Sequence, residues 1–73
     1  MTVRELMYLY DNWNGIVVIN DDNLKRIVKG TGDDIMYCVA FLEPDASVGY
    51  AKLLRMEVVA FGFYDGELCI RVK

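Results

Sequence analysis

Two adjacent pairs of aspartates, Asp21-Asp22 and Asp33-Asp34, are the side chains whose type and grouping best suit hydrolytic chemistry. Three or four carboxylates brought together could hold Mg²⁺ or Mn²⁺, which take oxygen ligands. A metal so held activates water for phosphodiester cleavage. This defines one enzymatic alternative, a metal-dependent DNA-nicking hydrolase with Mg²⁺ as its only cofactor; under any other reading no cofactor is expected. The pairs lie in predicted loops, where aspartate is also favoured as a turn or cap residue. Alternating strands put the two loops at opposite ends of one hairpin, so only a dimer could join them. Other chemistries are excluded by composition. The chain has no histidine, hence no histidine-based triad and no histidine–cysteine zinc site, and its two cysteines cannot make a four-cysteine site. Gly30-Thr31-Gly32 lacks the third glycine of a dinucleotide fingerprint and reads as a turn that ends a strand.

Residues suited to binding are more widely spread. Lys25, Arg26 and Lys29 fall on or near one predicted strand, and Arg71 lies near the end of the chain. Trp13 and Tyr64, with Tyr8 and Tyr50, offer rings on which single-stranded bases stack. An ordinary charged and amphipathic surface explains the same residues. The net charge of −3 argues against coating duplex DNA by charge alone. Trp13 stands beside a turn, where it either packs under the first helix or marks a contact site.

The elements that would position these residues follow from spacing. Thr2 and Glu5 form a capping box, so a helix starts at once. Val3, Leu6, Met7 and Tyr10 share one helical face and leave Arg4, Glu5, Tyr8 and Asp11 outside. Asn14-Gly15 marks a turn. Residues 16–19 read as a strand, 20–23 as a polar turn and 24–29 as a second, antiparallel strand. A loop of two residues and one of three both fit, so the register stays open. After a break at 30–34, the apolar run 35–42 suits a buried helix or a buried strand, and leans to the helix; Pro44 ends it either way. Asp45 or Ser47 can cap a short further helix with Ala46, Tyr50, Leu53 and Leu54 on its buried side.

The segment 58–72 is the clearest. Asp65-Gly66 suits a two-residue type I′ turn, which needs positive φ at both positions. That turn sets Tyr64 opposite Glu67, Phe63 opposite Leu68, Phe61 opposite Ile70 and Val59 opposite Val72. One face then carries Val59, Phe61, Phe63, Leu68, Ile70 and Val72, and a one-residue slip would destroy the pattern. On the other face Gly62 lies opposite Cys69 and leaves a shallow spot where a backbone or partner could approach. The order α-β-β-α-β-β implies one α+β domain over residues 1–73. Its two layers are a four-stranded antiparallel sheet of two β-hairpins and helices on one face.

Seventy-three residues give a marginal core, and 55% of them are apolar, above the usual share. Association is the simplest outlet, so a homodimer or higher homo-oligomer is expected. No run has transmembrane length, and no membrane partner is expected. Cys38 and Cys69 read as reduced thiols, and with no signal peptide in view the expected location is the cytoplasm.

TVRELMYLYD followed by GIVVIND, together with the closing EVVAFGFYDGELCIRV, resembles small proteins of prophages and mobile elements in Firmicutes-type gut bacteria. The middle of the chain, 35–50, does not share in the resemblance, and no catalytic residue is carried over. The resemblance implies a phage accessory protein in a host cell, of the kind that includes anti-CRISPR counter-defence factors, which block a host nuclease or bind nucleic acid. The leading expectation is thus an oligomeric interaction module. The alternatives are the carboxylate hydrolase and a structural or regulatory phage component.

Overall fold

The structure is a computed structural model that describes residues 1–36 and 50–73. Its elements are α1 (Val3–Leu9), β1 (Ile16–Asn20), β2 (Arg26–Thr31), α2 (Gly32–Met36), α3 (Tyr50–Leu54), β3 (Val58–Tyr64) and β4 (Glu67–Val72). The sheet has the order β2-β1-β4-β3. The α+β class and the two hairpins are as the sequence implies. The sheet is mixed, however: the hairpins join through β1 and β4, which run parallel, with Val17 beside Leu68 and Ile19 beside Ile70. Hairpin turns dictate antiparallel pairing only within each hairpin, and nothing local dictates how one hairpin meets another.

Apolar alternation on the strands meets the helices on one side. Val17, Ile19, Val28, Leu68, Ile70 and Val72 pack with Val3, Leu6 and Met7 of α1, Ile35 of α2 and Leu53 and Leu54 of α3. All of these are buried. The α1 stripe is therefore the one its spacing predicts, except that Tyr10 is the half-buried C-cap. The part of the run 35–42 beyond Met36, together with Cys38, Pro44, the Asp45 and Ser47 caps and Ala46, lies outside the described residues, as does the side chain of Tyr50.

Each turn is set by local chemistry. Asp65 and Gly66 both have positive φ, 52° and 79°, as a type I′ turn demands. The expected register holds from Tyr64–Glu67 through Phe61–Ile70. It slips at Val59: a bulge between Val58 and Ala60 sets Val58, not Val59, opposite Val72. The β1–β2 loop has three residues between Asp21 and Lys25, whose backbones are joined by a 2.8 Å hydrogen bond. Its last residue, Leu24, takes the left-handed conformation that closes such loops, φ 66°. The strand that follows starts at Arg26 and runs on to Thr31, so Gly30 and Thr31 belong to β2 and not to a break.

Trp13 packs under α1. Its indole Nε1–H donates to the Met7 carbonyl at 2.8 Å, and its ring meets Tyr8 at 6.2 Å. The turn it occupies lies against Gly32: a Cβ there would stand 2.8 Å from Trp13 Cα, so a side chain would part the two segments.

At the start of α1 the capping box is complete. The Glu5 carboxylate accepts the Thr2 backbone N–H at 2.9 Å and its hydroxyl at 3.1 Å, while Glu5 N–H donates to Thr2 Oγ1. The backbone bond, then the hydroxyl bond, hold the Glu5 pKa below its ordinary value. The sign follows from linkage. A carboxyl with a depressed folded-state pKa adds stability above its unfolded pKa and loses it as pH falls through the folded one. Thermal melts by circular dichroism between about pH 6 and about pH 3 are therefore expected to show a smaller acid loss in Glu5→Gln than in the parent. Equal losses would show that the box contributes nothing through charge.

Candidate functional site

Asp21 is a turn residue and Asp33 and Asp34 stand in the first turn of α2, so the two aspartate pairs lie at opposite ends of the β1–β2 hairpin. Asp21 Oδ1 accepts the backbone N–H groups of Asn23 and Lys25, each at 2.9 Å, and so holds the three-residue loop. Asp22 is exposed beside it. Asp33 and Asp34 open α2, where Asp34 N–H donates to Thr31 Oγ1 at 3.1 Å and Asp33 N–H to the Trp13 carbonyl at 3.0 Å. Among the described residues no three carboxylate or thiol groups gather in a way that could hold a metal ion.

The residues marked for binding divide between two places. Trp13 belongs to the helical side. Lys29, Tyr64 and Arg71 belong to the sheet face turned away from the helices, as the alternation of side chains along β2, β3 and β4 requires, and Arg26 is set opposite Asn20 of that face by a bulge in the β1–β2 pairing. Lys25 precedes this face, in the loop, and is exposed. Lys29 Nζ lies 3.6 Å from Glu67 Oε2, reaching over the central strand β1. Arg71 is half-buried, and its Nε–H is enclosed without a hydrogen-bond partner.

Arg71 borders a hollow of about 290 Å³ on this face, together with Asn20, Leu24, Gly62, Tyr64 and Cys69. The spot at Gly62 is not left bare for a partner backbone. The Tyr64 ring lies over it, and a Cβ at Gly62 would come within 3.3 Å of that ring. An edge glycine covered by a neighbouring aromatic ring is a known device of β-sheets.

The helical side holds a second surface, which the sequence misassigns. Phe61 and Phe63 share the face of Leu68 and Ile70, yet they are 56% and 60% exposed, while Leu68 and Ile70 are buried. Among the described residues the helices cover β2, β1 and β4 and stop short of β3, the edge strand. Between α1 and β3 runs an apolar groove of about 220 Å³, lined by Met1, Leu6, Leu9, Tyr10, Phe61, Phe63 and Leu68. Tyr10 and Phe63 meet ring to ring at 5.7 Å, and Leu9 is 72% exposed. Neither Met1 nor Leu9 is marked by the spacing rules. Leu9 follows the stripe at a position the pattern leaves outside, and its apolar character there is the one signal that could have drawn notice.

The backbone of β3 is also partly open. Val58 N–H donates outward to the Met1 carbonyl at 2.8 Å, so the N-terminal segment covers the beginning of the edge. By the alternation of an antiparallel ladder, Gly62 and Tyr64 bond to β4, and Phe61 and Phe63 turn their N–H and C=O groups outward. The segment 58–64 carries no charged residue. The opposite edge, β2, carries Arg26 and Lys29, the kind of charge that guards exposed edges.

No family model, no curated protein and no solved structure matches this chain. Among the described residues no helix is long and apolar enough to cross a membrane.

The two members of the first aspartate pair separate by role under substitution. Asp21→Ala removes the acceptor of two backbone N–H groups and is expected to lower stability by about 1–3 kcal/mol, while Asp22→Ala is expected to stay within about 0.5 kcal/mol. Urea denaturation of both variants measures this. Equal effects would contradict the structural role assigned to Asp21.

Proposed function

We propose that this chain is a non-catalytic association module, and that a second copy of itself adds to the β3 edge. The observation that supports this most is the uncharged edge at Phe61–Phe63, where unpaired backbone groups and exposed rings coincide. Native sheets guard such edges with charge, proline or a cover, and one left plain is a template for another strand.

The second copy is favoured over a foreign chain by self-complementarity. Antiparallel pairing centred on Gly62 lets Phe61 and Phe63 exchange backbone bonds with the partner's Phe63 and the partner's Phe61. It also sets Tyr64 beside the partner's Ala60, large against small. Such an isologous two-fold contact closes on itself. Phe61 and Phe63 leave roughly 200 Å² of ring surface in solvent, taking about 150–250 Å² per aromatic side chain. With the groove beside them they can seed a standard interface of about 800 Å² per partner, against a total surface of 4511 Å². No side chain of the edge or of the described groove lining is charged, and the Met1 ammonium beside the groove is paired with Glu57 at 3.1 Å.

The counter-defence role implied by the resemblance to prophage proteins, exercised in the host cytoplasm by blocking a nuclease, is one use for such a module. That part of the proposal rests on the resemblance alone. The association rests on the edge.

Sedimentation velocity over a concentration series is expected to show a dimer for the parent. Phe63→Lys places a charge on the edge and is expected to give a monomer that retains its melting transition. A parent that stays monomeric at every concentration, or a Phe63→Lys protein that still dimerises, contradicts the proposal.

A further inference from the structure

We propose that the hollow at Arg71 and Tyr64 binds one nucleotide unit, with its phosphate on the guanidinium and its base on the tyrosine ring. The hollow opens on the sheet face opposite the Phe61–Phe63 groove, and it shares Ala60, Phe61, Gly62 and Tyr64 with the β3 edge, so a second copy added there would border it.

Four observations converge on it. First, Arg71 Nε–H is enclosed in the fold with no acceptor. That enclosed N–H has no surface a ligand can reach, so a ligand in the hollow meets only the rest of the guanidinium fork, which only donates and therefore suits an anion. Among the described residues no carboxylate lines the hollow, and Glu67, on the same row of β4, faces Lys29. Second, Tyr64 is 66% exposed, and its ring is seated on Gly62 rather than swinging freely. A ring so held is a platform for a base. Third, Leu24 borders the hollow in the left-handed conformation that favours glycine or asparagine. That conformation closes the three-residue loop, and it sets an exposed apolar side chain at the rim. Fourth, Asn20 brings an amide, donor and acceptor together, which matches the edge of a base.

Size and charge narrow the ligand. A volume of about 290 Å³ lies at the small end of ligand sites, about 300–1,000 Å³. A net charge of −3 opposes long tracts of phosphate. One phosphate with one base fits both limits. The unit is either a free mononucleotide or a single residue of a strand.

Isothermal titration calorimetry on the full chain separates these. The probes are adenosine monophosphate, inorganic phosphate and a short oligoadenylate, each added to the parent, to Tyr64→Ala and to Arg71→Met. Circular dichroism melts confirm that each variant folds. Tyr64 is exposed, so Tyr64→Ala carries the test if Arg71→Met does not fold. The expected result is binding of adenosine monophosphate, more tightly than phosphate, weakened about tenfold in each variant, as the loss of one stacked base implies. Binding of the oligoadenylate alone, with the same losses, also supports the site and assigns it to a strand. Phosphate binding as tight as adenosine monophosphate, affinities unmoved by Tyr64→Ala, or no binding of either nucleotide probe overturns it.

Discussion

The parallel pairing of β1 with β4 is the contact on which the rest of the molecule depends. It sets two strands in the middle of the sheet and turns each hairpin's other strand into an edge. The middle strands are buried accordingly: Val17, Val18 and Ile19 of β1 are buried in succession, where a one-faced strand would alternate. The short helices gather over this centre. β2 and β3 are left to meet solvent by their own chemistry. β2 does so with Arg26 and Lys29. β3 does so with Phe61 and Phe63, and that contrast makes one edge a barrier and the other an invitation.

What was legible in the sequence was local. Thr2 with Glu5, and Asp65 with Gly66, are short-range devices whose geometry is contained in a few residues, and both form as their types require. The inward face of β4 was equally plain from Leu68, Ile70 and Val72. What was not legible was the junction of the hairpins. Alternation says which residues share a face, but not whether a helix reaches that face, and so Phe61 and Phe63 read as core. The bulge at Val59 also escaped, since it arises where the N-terminal segment meets the start of β3 and Thr2 bridges to Glu57. That contact joins the two ends of the sequence, and no short window contains it.

The candidate sites show the same division. The aspartate pairs lie at opposite ends of a hairpin, as the strand order implies, and of their carboxylates Asp21 holds a turn through two backbone N–H groups. Arg26, Lys29, Tyr64 and Arg71 are far apart in sequence, and the sheet brings them to one face. Leu24 and Asn20 join them at the hollow, although neither carries a sequence signal: Leu24 is an apolar residue in a polar loop, and its left-handed backbone is visible only in the fold. Opposite Cys69, Gly62 reads as an opening for a partner, and it serves instead as the seat of Tyr64. The same residue thus supports the ring on one sheet face and lies between the two outward-turned phenylalanines of the edge.

Hydrogen exchange at the Phe61 and Phe63 amides, followed by NMR at high and at low protein concentration, tests the openness and use of the β3 edge most directly. These two N–H groups point away from β4 and no described strand pairs with them, so protection that follows concentration reports a second copy. Slow exchange in concentrated solution that becomes fast on dilution, with the Gly62 and Tyr64 amides slow throughout, is the expected result. Fast exchange of Phe61 and Phe63 at every concentration would contradict it.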